Sequence, residues 1–128
     1  MMWLRIFLFV LAVVWTPYGF FCLFFPEALS NFAGLQATSV TATTELRAMY
    51  GGLQISIGLS ALLGFFRVVY IDKVLFTQLV VVAGLAVSRL IAALIAGDGS
   101  GYTIGALVFE WSTVVFCVLA MRSQTSNL

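Results

Sequence analysis

Arg89 and Glu110 are ionisable residues set inside apolar stretches long enough to cross a bilayer. An uncompensated charge in hydrocarbon costs at least ~2.5–3.5 kcal/mol, so such residues pair, face protein, or line a functional site. Arg47 lies in a third apolar segment, with Tyr50 and Gln54 on the residues that follow. Arginine offers a planar fork of donors suited to carboxylate and phosphate. These residue types together point to recognition of an anion. Arg47 and Arg89 would hold it, Glu110 would orient Arg89, and Tyr50 and Gln54 would add hydrogen bonds. Facing one pocket, Arg47, Arg89 and Glu110 carry a net charge of about +1, which suits a lipid-like or quinone-like headgroup.

Other chemistry is sparse. The chain has no histidine, which removes the commonest metal ligand and general base together. No metal site, cofactor or catalytic nucleophile is expected. A net charge of +1 gives no basic face for nucleic acid. The string Gly97-Asp98-Gly99-Ser100-Gly101 has no preceding strand and no following Lys or Arg to hold a phosphate, so it reads as a tight interhelical turn with Asp98 as a structural residue.

The elements that must position these residues follow from composition. At 62% hydrophobic and 9% charged, the chain is far from the soluble average of about 45–50% apolar and 25% charged. Four segments approach the ~20 residues needed to span a bilayer: 3–25, 43–66, 71–96 and 102–121. The expected fold is all-α, a four-helix integral membrane bundle forming a single transmembrane domain over residues 1–128. The first segment is longer and more aromatic than a signal-peptide core and lacks a small-residue cleavage site before Pro26. Pro17 should kink it locally. Arg5, Arg67, Lys73 and Arg122 fall on one side of these spans, and Glu27 and Asp98 on the other, which makes both termini cytoplasmic. The 26–42 loop, with Asn31, Gln36 and a Thr/Ser run, reads as a polar outer cap.

Helical spacing sorts the faces. On the second span Arg47, Gly51, Gln54 and Gly58 share one stripe, while Gly52, Ser56, Ser60 and Gly64 form a ladder suited to helix packing. Gly84 with Ser88 and Gly101 with Gly105 look like further packing pairs. Thr103, Ala106, Glu110, Thr113 and Cys117 form a heptad-like seam on the fourth span. Arg89 lies roughly 10 Å and Glu110 roughly 12 Å inward from the ends joined by the 97–101 turn, so the two should meet. Arg47, about 7 Å inward, could reach toward the same level. Glu45 is two residues from Arg47, about 200° around the helix, and either faces the headgroups or gains from the helix dipole in a first turn beginning near Thr41. Cys22 and Cys117 differ in depth by roughly 15–20 Å and should be buried free thiols.

The segment TELRAMYGGLQISIGL, residues 44–59, resembles the signature of an uncharacterised family of small bacterial four-helix membrane proteins, DoxX-like in pattern. The match includes Glu45, Arg47, Tyr50, Gly51, Gly52 and Gly58; Arg89, the Asp98-Gly99 turn and Glu110 fall where that pattern also has polar residues. The resemblance implies a multi-pass bacterial inner-membrane protein. Through DoxX-like relatives it implies an accessory role beside membrane oxidoreductases, although this chain has no CxxC or histidine of its own.

Three functions stay open on these residues. The first is a non-enzymatic binding or accessory protein whose polar pocket in the outer half of the membrane takes an anionic lipid-like or quinone-like ligand. The second is a structural subunit of a larger membrane complex, or a homo-oligomer, packed through its small-residue faces. The third, an enzyme with Glu110 as general acid or base, has least in its favour, because no nucleophile or metal set accompanies it.

Overall fold

A computed structural model describes residues 1–125, and the described residues are helices and short connections with no strand. Four helical stretches, Met2–Phe24, Val40–Phe66, Val68–Ala96 and Gly101–Gln124, are each long and apolar enough to cross a membrane. Their many exposed Phe, Val, Leu and Ile side chains are the outward surface that lipid requires. The chain divides into two compact units, Met1–Val68 and Val69–Leu128.

In the first unit, helix α1 (Met2–Phe24) runs unbroken through Pro17. A 3-10 turn, Pro26–Ala28, leads into the short helix α2 (Leu29–Phe32), whose Leu29 is fully buried. Gly34 follows with φ +69°, and the N–H groups of Ala33 and Leu35 both return to the Leu29 carbonyl, closing the helix end. Tyr18 of α1 packs on Phe32 of α2 at a ring separation of 6.3 Å. The expected polar loop is therefore a small folded cap.

The second span starts at Val40, three residues earlier than hydropathy suggests. Ser39 is its N-cap, accepting the Ala42 N–H at 3.0 Å. Thr43 and Thr44 return their hydroxyls to the carbonyls of Ser39 and Val40, so these polar residues are accommodated inside the helix. With the start at Val40, Glu45 lies beyond the first turn and gains little from the helix dipole. The span is α3 (Val40–Leu46), a π-helical segment (Arg47–Gly52) and α4 (Leu53–Phe66). Within it the Leu53 N–H reaches back five residues, to the Ala48 carbonyl.

Backbone approach between α1 and this span sets the unit's register. A Cβ placed on Gly51 would lie 2.8 Å from the Leu23 Cβ and 2.9 Å from its Cα. On Gly58 it would overlap the Thr16 hydroxyl and lie 2.7 Å from the Thr16 backbone nitrogen; on Gly19, 2.7 Å from the Ile55 nitrogen. Ascending positions of α1 thus meet descending positions of its neighbour, which is antiparallel packing. At the other end Arg5 Nε donates to the Phe65 carbonyl at 3.3 Å, and its guanidinium lies 5.2 Å from the Phe65 ring centre.

These contacts correct the expected packing faces. Gly58 and Gly51 carry the contact rather than the Gly52–Gly64 ladder: Gly64 is buried, but Gly52 meets nothing within 4 Å and Ser56 is exposed. Small residues line both faces of the span, and only α1, which presents Gly19 and Thr16, decides between them. Gly84, Gly101 and Gly105 likewise meet nothing within 4 Å, and Ser88 is exposed, so these pairs are not packing contacts here.

The second unit is an antiparallel hairpin of α5 (Ile71–Ala96) and α6 (Gly101–Thr125). Gly97, at φ +64°, ends α5, and the Asp98 N–H closes onto the Ala93 carbonyl. The expected seam of α6 is observed. Thr103, Glu110, Thr113 and Cys117 are buried and Ala106 is half-buried, with Ala120 extending the line by one turn. Both cysteines are buried free thiols.

Gly58→Ala and Gly51→Ala should each lower stability by about 1–3 kcal/mol, because the new methyl meets backbone that has to move. Gly52→Ala should be neutral or slightly stabilising, since its methyl enters open space and alanine favours helix. Denaturant titration in a mild micelle distinguishes them; equal losses at Gly52 and Gly58 would contradict the observed register.

Candidate functional site

Polar chemistry collects at three places, and the first is a cavity in the first unit. It measures about 380 Å³ and lies where α1 ends and the second span begins. Pro26, Glu27 and Ser30 line it from the 3-10 turn and α2, Leu35, Gln36 and Ala37 from the following loop, and Thr43 and Arg47 from the second span. Its size is within the range of small-molecule sites. An acidic and a basic side chain, Glu27 and Arg47, are both in its lining. Among the described residues neither Glu27 nor Arg47 forms an ion pair within 4.0 Å.

Local folding explains the placement. Thr43 and Arg47 are one turn apart, and the Arg47 N–H donates to the Thr43 and Thr44 carbonyls. The π-helical segment begins at Arg47 itself, and a wide turn of this kind shifts the phase of everything beyond it. A uniform 100° wheel therefore misplaces the stripe Arg47–Gly51–Gln54–Gly58. Arg47 is exposed and lines the cavity, while Gly51 and Gly58 are pressed against α1. Tyr50 and Gln54 do not line the cavity; Tyr50 is half-buried and the Gln54 Oε1 is buried without a hydrogen-bond partner. Glu45 is exposed and also outside the lining.

The second place is the ion pair of the α5–α6 hairpin. Arg89 Nη2 lies 2.9 Å from Glu110 Oε1, and Arg89 Nε is 3.0 Å from each carboxylate oxygen. The Glu110 side chain is 3% exposed and that of Arg89 21%, so the pair is largely withdrawn from the surroundings. Arg89 precedes the end of α5 by seven residues and Glu110 follows the start of α6 by nine, which sets both at roughly 10–14 Å from the turn. Equal depth on antiparallel helices brings them together. Charge-assisted bonds to both oxygens hold the two helices at one register.

The third is the turn joining those helices. Asp98 Oδ1 accepts the Ser100 N–H at 2.9 Å, Asp98 Oδ2 accepts the Thr103 hydroxyl at 2.6 Å, and Ser100 Oγ accepts the Thr103 N–H at 3.3 Å. The Thr103 hydroxyl, and then the Ser100 backbone and side chain, hold the Asp98 carboxyl below the usual aspartate range. Ser100 thus caps the start of α6 and Asp98 braces that cap, in keeping with a tight turn.

Sequence reasoning named Arg47 but missed Glu27, Ser30 and Thr43 as its cavity companions. The available signal for Glu27 and Ser30 is the polar 26–42 segment, and for Thr43 its place one helical turn before Arg47. Among the described residues no group of three or more His, Cys, Asp or Glu side chains is arranged to hold a metal ion. The profile of a family described as Domain of unknown function (DUF4345) matches residues 3–121. No curated protein and no solved structure matches the chain.

Two outcomes follow from these geometries. Arg89→Leu and Glu110→Leu should each cost about 3–5 kcal/mol, because each leaves one buried charge alone, whereas the double substitution should recover most of the loss. Folded yield in membranes and unfolding midpoints read this directly; additive losses would show that the pair is not coupled. For Asp98 the folded carboxyl titrates below its unfolded counterpart, so its contribution is complete above roughly pH 4 and fades as pH falls through the lower folded value. Asp98→Asn should flatten the pH dependence of stability in that acid window and leave it unchanged at neutral pH and above.

Proposed function

For a chain that belongs to this domain family of unknown function, we propose a non-enzymatic membrane binding or accessory protein that holds the anionic headgroup of a lipid-like molecule in the cavity beside Arg47. One observation carries the reading: a cavity of about 380 Å³ at a span end, with an arginine on its wall that makes no ion pair within 4.0 Å. Arg47 lies seven residues, roughly 10 Å, inside the Val40 start of its span, and its long side chain can reach back along the cavity toward headgroup depth, where phosphate is abundant. Thr43, one turn before Arg47, lines the same cavity.

Arg89 and Glu110 serve this reading as a scaffold that fixes α5 against α6, since their charges answer each other. Tyr50, Gln54, Gly51 and Gly58 act behind the cavity, on the span that presents Arg47. The placement of Arg5, Arg67, Lys73 and Arg122 supports cytoplasmic termini and a cavity on the outer side of a bacterial inner membrane. The DoxX-like pattern around residues 44–59 supports an accessory task beside a membrane oxidoreductase.

A second reading, a structural subunit, is favoured by the glycines that meet nothing within 4 Å, notably Gly101 and Gly105, where a partner helix could approach closely. Under it a defined partner should co-purify in mild detergent and be lost in Gly105→Leu.

The first reading is tested by native mass spectrometry of protein extracted without delipidation. The wild type should carry a phosphorus-containing adduct that Arg47→Gln loses by about tenfold or more in occupancy and Arg47→Lys keeps in part. A wild type without an adduct, or an adduct indifferent to Arg47, would sink it.

A further inference from the structure

We infer that the cavity of the first unit recognises a zwitterion, an alkylammonium phosphate, with its phosphate toward Arg47 and its ammonium toward Glu27. This inference rests on the headgroup-binding reading above and narrows it to a chemical class. Glu27 and Arg47 line one cavity, Glu27 from the segment after α1 and Arg47 from the second span. No ion pair within 4.0 Å joins them, so they do not neutralise each other. A simple anion placed between them meets repulsion from Glu27, and a simple cation meets repulsion from Arg47. A molecule with both charges answers both groups at once.

The hydroxyls on these walls sharpen the assignment. Ser30 Oγ donates to the Glu27 carbonyl at 2.8 Å, and Thr43 Oγ1 donates to the Ser39 carbonyl at 3.2 Å. Each has one proton, already engaged, so what it can offer a ligand is lone pairs. Beside Glu27, Ser30 thus completes an acceptor end suited to the several N–H donors of an ammonium. Donors are left to Arg47 and the Gln36 amide, which suit the phosphate. A quinone, with two carbonyl acceptors and no cation, would leave the acceptor end unanswered. The same chemistry is presented by an ethanolamine phospholipid headgroup and by free phosphoethanolamine.

The full-length protein in mild detergent is offered an equimolar mixture of phosphatidylethanolamine and phosphatidylglycerol with identical acyl chains, and retention is read by native mass spectrometry. Free phosphoethanolamine is then titrated as competitor. The wild type should retain the ethanolamine lipid about tenfold over the glycerol lipid, the factor expected for one additional charge-assisted contact. Glu27→Gln should bring the two lipids to parity, Glu27→Asp should restore a preference, and Arg47→Gln should weaken both alike. Circular dichroism and size-exclusion profiles establish that each variant is folded. Binding of free phosphoethanolamine, lost in Glu27→Gln and without retention of either lipid, would support the zwitterion with a soluble source. Equal retention of both lipids by the wild type, or a preference that survives Glu27→Gln, overturns this inference and leaves the anionic-headgroup reading standing. Retention of neither lipid above the Arg47→Gln level, with no binding of free phosphoethanolamine, overturns both.

Discussion

Hydrocarbon offers no solvent to a charge, so an ionised group buried between the helices of a span, which cannot reach water along a cavity, needs its partner from the protein itself. The Arg89–Glu110 contact is the clearest consequence in this molecule. Neither residue is tolerable alone at its depth. The need for both to meet fixes which faces of α5 and α6 oppose each other and at what level. The rest of the hairpin conforms: the αL turn at Gly97, the Asp98–Ser100–Thr103 cap, and a seam of buried small and polar residues down α6.

In the first unit the constraint is steric rather than electrostatic. Gly19, Gly51 and Gly58 stand where a single methyl would collide with the neighbouring backbone. The second span must keep two glycines against α1 and still turn Arg47 toward the cap. Its π-helical segment reconciles these demands by changing the phase between Arg47 and the residues that follow. Wide turns of this kind are found often at functional sites, because they re-aim one side chain without breaking the helix. Here the re-aimed side chain is the cavity's arginine.

The cavity thus depends on both ends of a short chain of causes. Buried Leu29, the Gly34 turn and the Tyr18–Phe32 contact hold the cap that carries Glu27 and Ser30. Ser39 starts the helix that carries Thr43 and Arg47. Neither wall is long, but each is tied down by backbone hydrogen bonds, which is what a preorganised polar site requires. Opposite charges in one lining, with no ion pair within 4.0 Å between them, are the feature that separates this cavity from an ordinary surface crevice.

By itself the sequence determined the all-α class and four spans of membrane-crossing length, because hydropathy and helix rise are local properties. It also determined the Arg89–Glu110 pairing, because a short turn between antiparallel helices makes depth a matter of counting. The seam through Thr103, Glu110, Thr113 and Cys117 was legible for the same reason. Only tertiary structure decided which small-residue face of the second span meets α1, since Gly51/Gly58 and Gly52/Ser56 are equally small and differ only in what lies opposite. Only it revealed that the wheel through Arg47 and Gln54 is broken by a wide turn, a backbone choice that residue types do not announce. And only it brought Glu27 into one cavity with Arg47: twenty positions and a folded cap, held by the burial of Leu29, separate them in the chain.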